Sequence, residues 1–223
     1  MWFHWMLAAS RAQGLCILNF MITSNHIHLL IHDLGNAGDK PIARALQLAE
    51  ARVAQEYNKR KARSGAFWED RYHATAVQTG EHFINCLTYV DLNMVRANVV
   101  THPAQWRFCG YHELQRPRQR HRNILVDLEA LGSLLKLGSV QELREARADW
   151  VADQCRKGPL IRDPLWTESV AVGGEEFIDA IKSKLGGRAK GRDIERLDDE
   201  FVLREEDKPY LRVFRAKNDD LVY

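Results

Sequence analysis

The chain has 223 residues, 45% of them hydrophobic and 28% charged, with a formal net charge of +2. This composition excludes a disordered polymer, and the length suffices for one large domain or a domain with a substantial extension. Cys16, Cys86, Cys109 and Cys155 include no close pair, so they suggest neither a zinc knuckle nor a disulfide framework, and a reducing cytoplasm fits.

The first nine residues are apolar but short, lack a basic n-region and are soon followed by Arg11. They make a poor signal peptide, cannot span a bilayer, and read instead as an amphipathic helix over 2–13 ended by Gly14. Residues 15–22 read as a buried strand. Thr23, Ser24 and Asn25 turn it into a second strand running to His32, so an antiparallel hairpin is expected. A loop with Gly35, Asn36 and Gly38 follows. From Pro41, the spacing of Ile42, Leu46, Ala49, Val53 and Tyr57 predicts a long helix to about Arg63, closed by Gly65. Arg52, Lys59, Arg60, Lys61 and Arg63 crowd its second half.

Residues 67–77 are aromatic and β-branched and are expected to form a strand. A helix is expected over 81–95, with Phe83, Ile84, Leu87 and Leu92 facing the core and Tyr89 and Asn93 on one face, four residues apart. Residues 106–111 are aromatic and turn-like, and the run Arg116, Arg118, Arg120, Arg122 is a linker candidate. Residues 125–154 read as two helices interrupted at Gly138 and Ser139, the second with Leu143, Ala146, Trp150 and Val151 as its apolar stripe. A short helix follows over 175–185, and the last thirty residues are highly charged. We place a boundary near residue 115, between a domain over 1–115 and an extension over 116–223.

Chemistry concentrates at two places. His26 and His28 are one residue apart in the hairpin, so strand parity puts both imidazoles on one face, with Ile27, Leu29 and Ile31 on the other. Two such nitrogens can share a divalent ion and leave positions open for substrate oxygens, and His32 has the same parity. The same pattern also suits an ordinary structural strand. Tyr89 read alone is an interfacial helix tyrosine, and Asn93 alone a cap or surface residue. The basic stretches at 116–122 and 182–192 suit either nucleic-acid phosphates or a solvated loop.

In combination these features resemble the REP-associated tyrosine transposases, the IS200-like branch of the HUH single-strand endonucleases. The family's His-hydrophobe-His signature is matched by His26-Ile27-His28. Its tyrosine helix running into Asn-Pro-Val-Arg-Ala is matched by Tyr89 followed by Asn93-Met94-Val95-Arg96-Ala97, and residues 65–72 are similar to its intervening strand. The resemblance covers roughly residues 10–112, and residues 166–173 are similar to an extension found in a subset of the family. Asn-Met-Val-Arg stands where Asn-Pro-Val-Arg is usual, and Thr-Ser-Asn precedes the histidines in place of Met-Pro-Asn. Neither change removes a catalytic group.

The resemblance implies an α+β fold: a ferredoxin-like, RRM-like antiparallel sheet with helices on one face, followed by a mostly helical extension. Relatives begin about one strand and loop earlier, so an unpaired sheet edge beside the histidine strand is expected. The implied activity is cleavage and rejoining of single-stranded DNA at hairpin-flanked repeats through a 5′-phosphotyrosine. Tyr89 would be the nucleophile, with His26, His28 and Asn93 holding Mg2+ or Mn2+. Arg52, Lys59, Arg60, Arg63, Arg71 and Arg96 would contact single-stranded or hairpin DNA. A phenol with its ordinary pKa of about 10 is a weak nucleophile at pH 7, and a metal would stabilise charge on the phosphoryl and leaving oxygens. A cytoplasmic protein with no membrane partner is expected, and a homodimer is compatible with the resemblance. The alternative is a catalytically inactive, DNA-binding or regulatory relative.

Overall fold

Helix α1 (Trp2–Gln13) stops where Gly14 takes a left-handed φ of 64°, and the Leu15 N–H then closes onto Ser10 O at 2.9 Å. The chain continues into β1 (Cys16–Ile22), which turns through Thr23 into β2 (Ile27–His32) as the expected antiparallel hairpin. Met21 lies opposite His28 and Ile22 opposite Ile27, and a bulge between Ile17 and Asn19 shifts the register. The computed structural model describes residues 1–35, 40–69, 72–115, 124–158, 160–197 and 200–205. Contacts divide the chain into two compact units, Met1–Tyr72 with Ile84–Arg162, and His73–Phe83 with Asp163–Tyr223.

In the first unit β1 is the buried centre. Phe20 meets Phe3 of α1 with ring centroids 5.8 Å apart, while Met21 points the other way into a core of Val90, Leu92, Met94, Cys109, Tyr111 and Val151. Apolar side chains therefore reach β1 from both faces, and every β2 position stays half-buried. Among the described residues β2 pairs with β1 alone. Helix α2 (Pro41–Arg60) opens with proline in its first turn and buries Ala45, Leu46, Ala49 and Val53.

The strand expected over 67–77 shrinks to β3 (Ala76–Val77). Its aromatic residues are spent on packing instead: Phe67 lies 4.7 Å from the Tyr57 ring and 4.8 Å from Trp68, and Trp68 Nε1 donates to Glu50 O at 2.9 Å. The helix expected over 81–95 is divided. Helix α3 (Glu81–Asp91) stops at Leu92, whose φ of −84° and ψ of 4° lie outside the helical well, and α4 (Asn93–Arg96) follows. Asn98 then takes a left-handed φ of 56°, a conformation asparagine tolerates better than most residues.

Cys109 bridges to Met21, extending the far edge of β1, and α5 (Gly110–Gln115) starts directly after it. The interrupted helix pair is present as α6 (Leu128–Leu135) and α7 (Val140–Arg156). Their N-caps are Asp127, accepting from Ala130 N at 2.9 Å, and Ser139, accepting from Glu142 N at 3.1 Å. The arginine run at 116–122 lies outside the described residues.

The second unit contains α8 (Leu165–Glu168), β4 (Ser169–Gly173), α9 (Glu175–Leu185), β5 (Arg192–Leu197) and β6 (Glu200–Glu205). Its sheet has the order β3-β4-β6-β5, with β3 and β4 parallel and the other pairs antiparallel. Ala171, Ile178 and Leu203 form a core with α9, while Leu165, Val172 and Val202 form a second cluster. The extension thus carries strands as well as the expected helices. The β5–β6 hairpin escapes a periodicity reading because β5 is exposed along nearly its whole length and its sequence is charged. Lys182 and Lys184, from the basic run at 182–192, occupy the last turn of α9, where cations favour the helix dipole.

Candidate active site

Thr23 fixes the turn before the histidines. Its Oγ1 accepts from the His26 N–H at 2.9 Å and donates to His26 O at 2.9 Å, leaving the His26 side chain exposed one residue before β2 begins. His28, inside β2, is half-buried, and its Nε2 lies 3.1 Å from Asn93 Nδ2. The hairpin and the first residue of α4 therefore converge, although they are 65 residues apart in sequence. Burial lowers the His28 pKa to about 4, helped by the positive fields of His26, Arg96 and Arg162. The imidazole is consequently neutral at pH 7 and keeps a lone pair.

Tyr89 stands one turn before Asn93 on α3 and is half-buried. The Arg96 guanidinium lies 3.8 Å over the centroid of its ring, and Arg96 Nη2 donates to Tyr89 O at 3.2 Å. The residues His28, Asn93, Tyr89 and Arg96, singled out in the sequence, thus fall into two contacting pairs on consecutive turns.

The basic residues of α2 make local contacts. Arg52 lies 5.5 Å over the Trp5 ring, Arg60 pairs with Glu56, and Lys59 is exposed. Arg63, beyond the helix end, donates to Ala66 O at 2.9 Å and lies 5.7 Å over Tyr57. Glu56 also accepts from Trp5 Nε1 at 2.7 Å, so an acid sits within the basic face. Arg71 lies outside the described residues.

Behind the tyrosine helix is a buried polar network that the sequence reading missed. Asp91 accepts from Arg147 Nη2 at 2.5 Å, from Arg147 Nε at 3.2 Å and from Asn19 Nδ2 at 2.8 Å. Both charged side chains are wholly buried. Burial pushes the Asp91 carboxyl up, against the downward pull of Arg147 and Asn19. The Tyr111 ring lies 5.5 Å from the guanidinium, and Arg147 Nη1 is buried without a hydrogen-bond partner. A signal for Arg147 was present: it sits four residues after Leu143 and four before Val151, and these three are the buried positions of α7. Arg162, whose charge reaches His28, carried no such signal.

Among the described residues no three His, Cys, Asp or Glu side chains cluster as a metal site, and no helix is long and apolar enough to cross a membrane. Of the three groups expected to hold a divalent ion, His28 and Asn93 approach each other to 3.1 Å, while the side chain of His26 is exposed. No curated protein and no solved structure matches the chain. Residues 4–93, from α1 through the histidine hairpin to Asn93, match the family model described as Transposase IS200 like, and over that segment the chain is similar to transposases, proteins that act on DNA.

Proposed function

We propose that this chain is a DNA strand transferase of the REP-associated tyrosine type, which cuts and rejoins single-stranded DNA at hairpin-flanked repeats. The observation that carries this reading is the approach of His28 and Asn93 to 3.1 Å, with Tyr89 one turn away under Arg96. Tyr89 Oη gives up its proton to solvent and attacks the scissile phosphorus, and the bond from phosphorus to the 3′ oxygen breaks. The 5′ end remains on the tyrosine, the leaving oxygen takes up a proton, and a 3′-hydroxyl is released. Rejoining reverses these bonds with another 3′-hydroxyl.

His26, His28 and Asn93 would hold Mg2+ or Mn2+, which when bound supplies charge stabilisation at the phosphoryl oxygens. The neutrality of His28 supports that role. Because Asn93 Nδ2 faces the His28 lone pair, ion binding calls for the carboxamide to turn and offer its oxygen. Arg96 stabilises negative charge on the attacking phenolic oxygen. Arg52, Lys59, Arg60 and Arg63 would neutralise backbone phosphates, with Arg71 assigned by the same resemblance.

The test is incubation of the purified chain with labelled single-stranded DNA carrying a hairpin flanked by its genomic repeat, plus Mn2+, followed by a denaturing gel. The expected result is a protein–DNA adduct that Tyr89→Phe abolishes while hairpin binding persists. Binding without any adduct would make the chain a non-catalytic DNA-binding relative. An adduct that persists in Tyr89→Phe would remove Tyr89 as nucleophile.

A further inference from the structure

Residues 4–93 carry the similarity to transposases, yet the side chain that anchors the tyrosine segment comes from α7, more than fifty residues later in sequence. Asp91 falls between Tyr89 and Asn93, at the last position of α3. A residue two positions away on a helix points roughly to the opposite side, so Asp91 grips the back of the segment whose front carries Tyr89 and Asn93. It grips in two directions. Arg147 holds both carboxylate oxygens, while Asn19, in β1, donates to one of them at 2.8 Å and to Leu87 O at 3.3 Å. The strand holding Asn19 also pairs Met21 with His28.

A closed loop of contacts results: His28 to Asn93, Asn93 through Leu92 to Asp91, Asp91 to Asn19, and Asn19 along β1 to Met21 and back to His28. Leu92, the non-helical residue, lies within this loop. Its φ and ψ decide how Asn93 is aimed relative to Tyr89, and Asp91 fixes the preceding residue. The guanidinium is committed to this carboxylate, since its Nη1 has no partner and its face lies on Tyr111.

We infer that Arg147 is a positioning residue, which through Asp91 sets the α3–α4 junction so that Asn93 meets His28 and Tyr89 holds its place. The functional half of this inference rests on the strand-transfer reading above; the structural half does not. Helix α7, which lies beyond residues 4–93, thereby completes the site.

The experiment compares the unsubstituted 223-residue chain with Arg147→Lys and with the apolar pair Asp91→Leu/Arg147→Met, which removes the tie without leaving a buried charge. Two readouts are taken on variants that melt cooperatively in urea. The first is the nuclear Overhauser contact between the Asn93 side-chain amide and the His28 ring, in the absence of DNA. The second is the single-turnover rate of adduct formation at saturating hairpin DNA, measured beside the dissociation constant. In the apolar pair we expect loss of the contact and a rate lowered at least 30-fold, with the dissociation constant within twofold. Arg147→Lys, which keeps the charge but not the planar fork, should fall between it and the parent. Persistence of the contact in the folded apolar pair overturns the inference, as does an unchanged rate with only weaker DNA binding. If the parent forms no adduct, the strand-transfer reading fails, and the contact measurement alone decides the role of Arg147.

Discussion

A guanidinium 3.8 Å above the Tyr89 ring places a fixed positive charge on the aromatic face of the proposed nucleophile. On the strand-transfer reading this charge favours loss of the phenolic proton, so Arg96→Ala should slow adduct formation about 10- to 100-fold in single-turnover assays, a loss of about 1.4–2.7 kcal/mol. Lysine at this position should recover only part of the rate, because an ammonium does not stack as a plane. His28 makes a separate, pH-dependent prediction for the metal-free protein. Its folded pKa of about 4 lies below the ordinary 6.5, so the unfolded chain takes up a proton that the folded chain refuses. The stabilisation is complete above about pH 6.5 and is lost as the pH falls toward 4. Urea midpoints should therefore drop between pH 7 and pH 5 more steeply in the parent than in His28→Gln.

At the scale of elements, the buried network depends on a glycine. A Cβ on Gly110, the first residue of α5, would stand 2.3 Å from Asn19 Oδ1 and 3.0 Å from Val126 Cγ2. Gly110→Ala should displace Asn19 from Asp91 and cost about 1–3 kcal/mol, read from the urea midpoint at constant slope. Arg147→Ala, which strands a buried carboxylate, should cost more, about 3–5 kcal/mol. Much of this architecture was legible in the sequence. Gly14, Pro41 and Ser139 punctuate helices at the expected places, and Thr23 turns the hairpin. The break at Leu92 was not legible, since no proline or glycine marks it, and the contacts that hold the neighbouring Asp91 come from residues distant in sequence. Phe67 and Trp68 misled because aromatic content suits a strand and a helix-packing loop equally. Arg147 was masked by its type: a stripe of apolar residues directs attention away from an arginine at the same spacing.

For the whole molecule, a net charge of +2 means that attraction to DNA has to arise locally. Hairpin affinity should fall with salt, and Lys59→Ala should reduce the logarithmic salt slope by about 1. Arg60→Ala should reduce it less, because Glu56 already offsets that charge; fluorescence anisotropy over a salt series checks both. The second unit draws on distant parts of the chain. His73 Nε2 donates to Ser169 O at 2.8 Å and Thr75 Oγ1 to the same oxygen at 2.6 Å, across 96 and 94 residues of sequence. A ribosome adding about 5–20 residues per second needs roughly 5–20 s to supply that partner. Throughout that interval β3 leaves the exit tunnel with no strand to lie against. The nascent chain thus passes through a timed window in which this sheet cannot close, and slower translation should lengthen it.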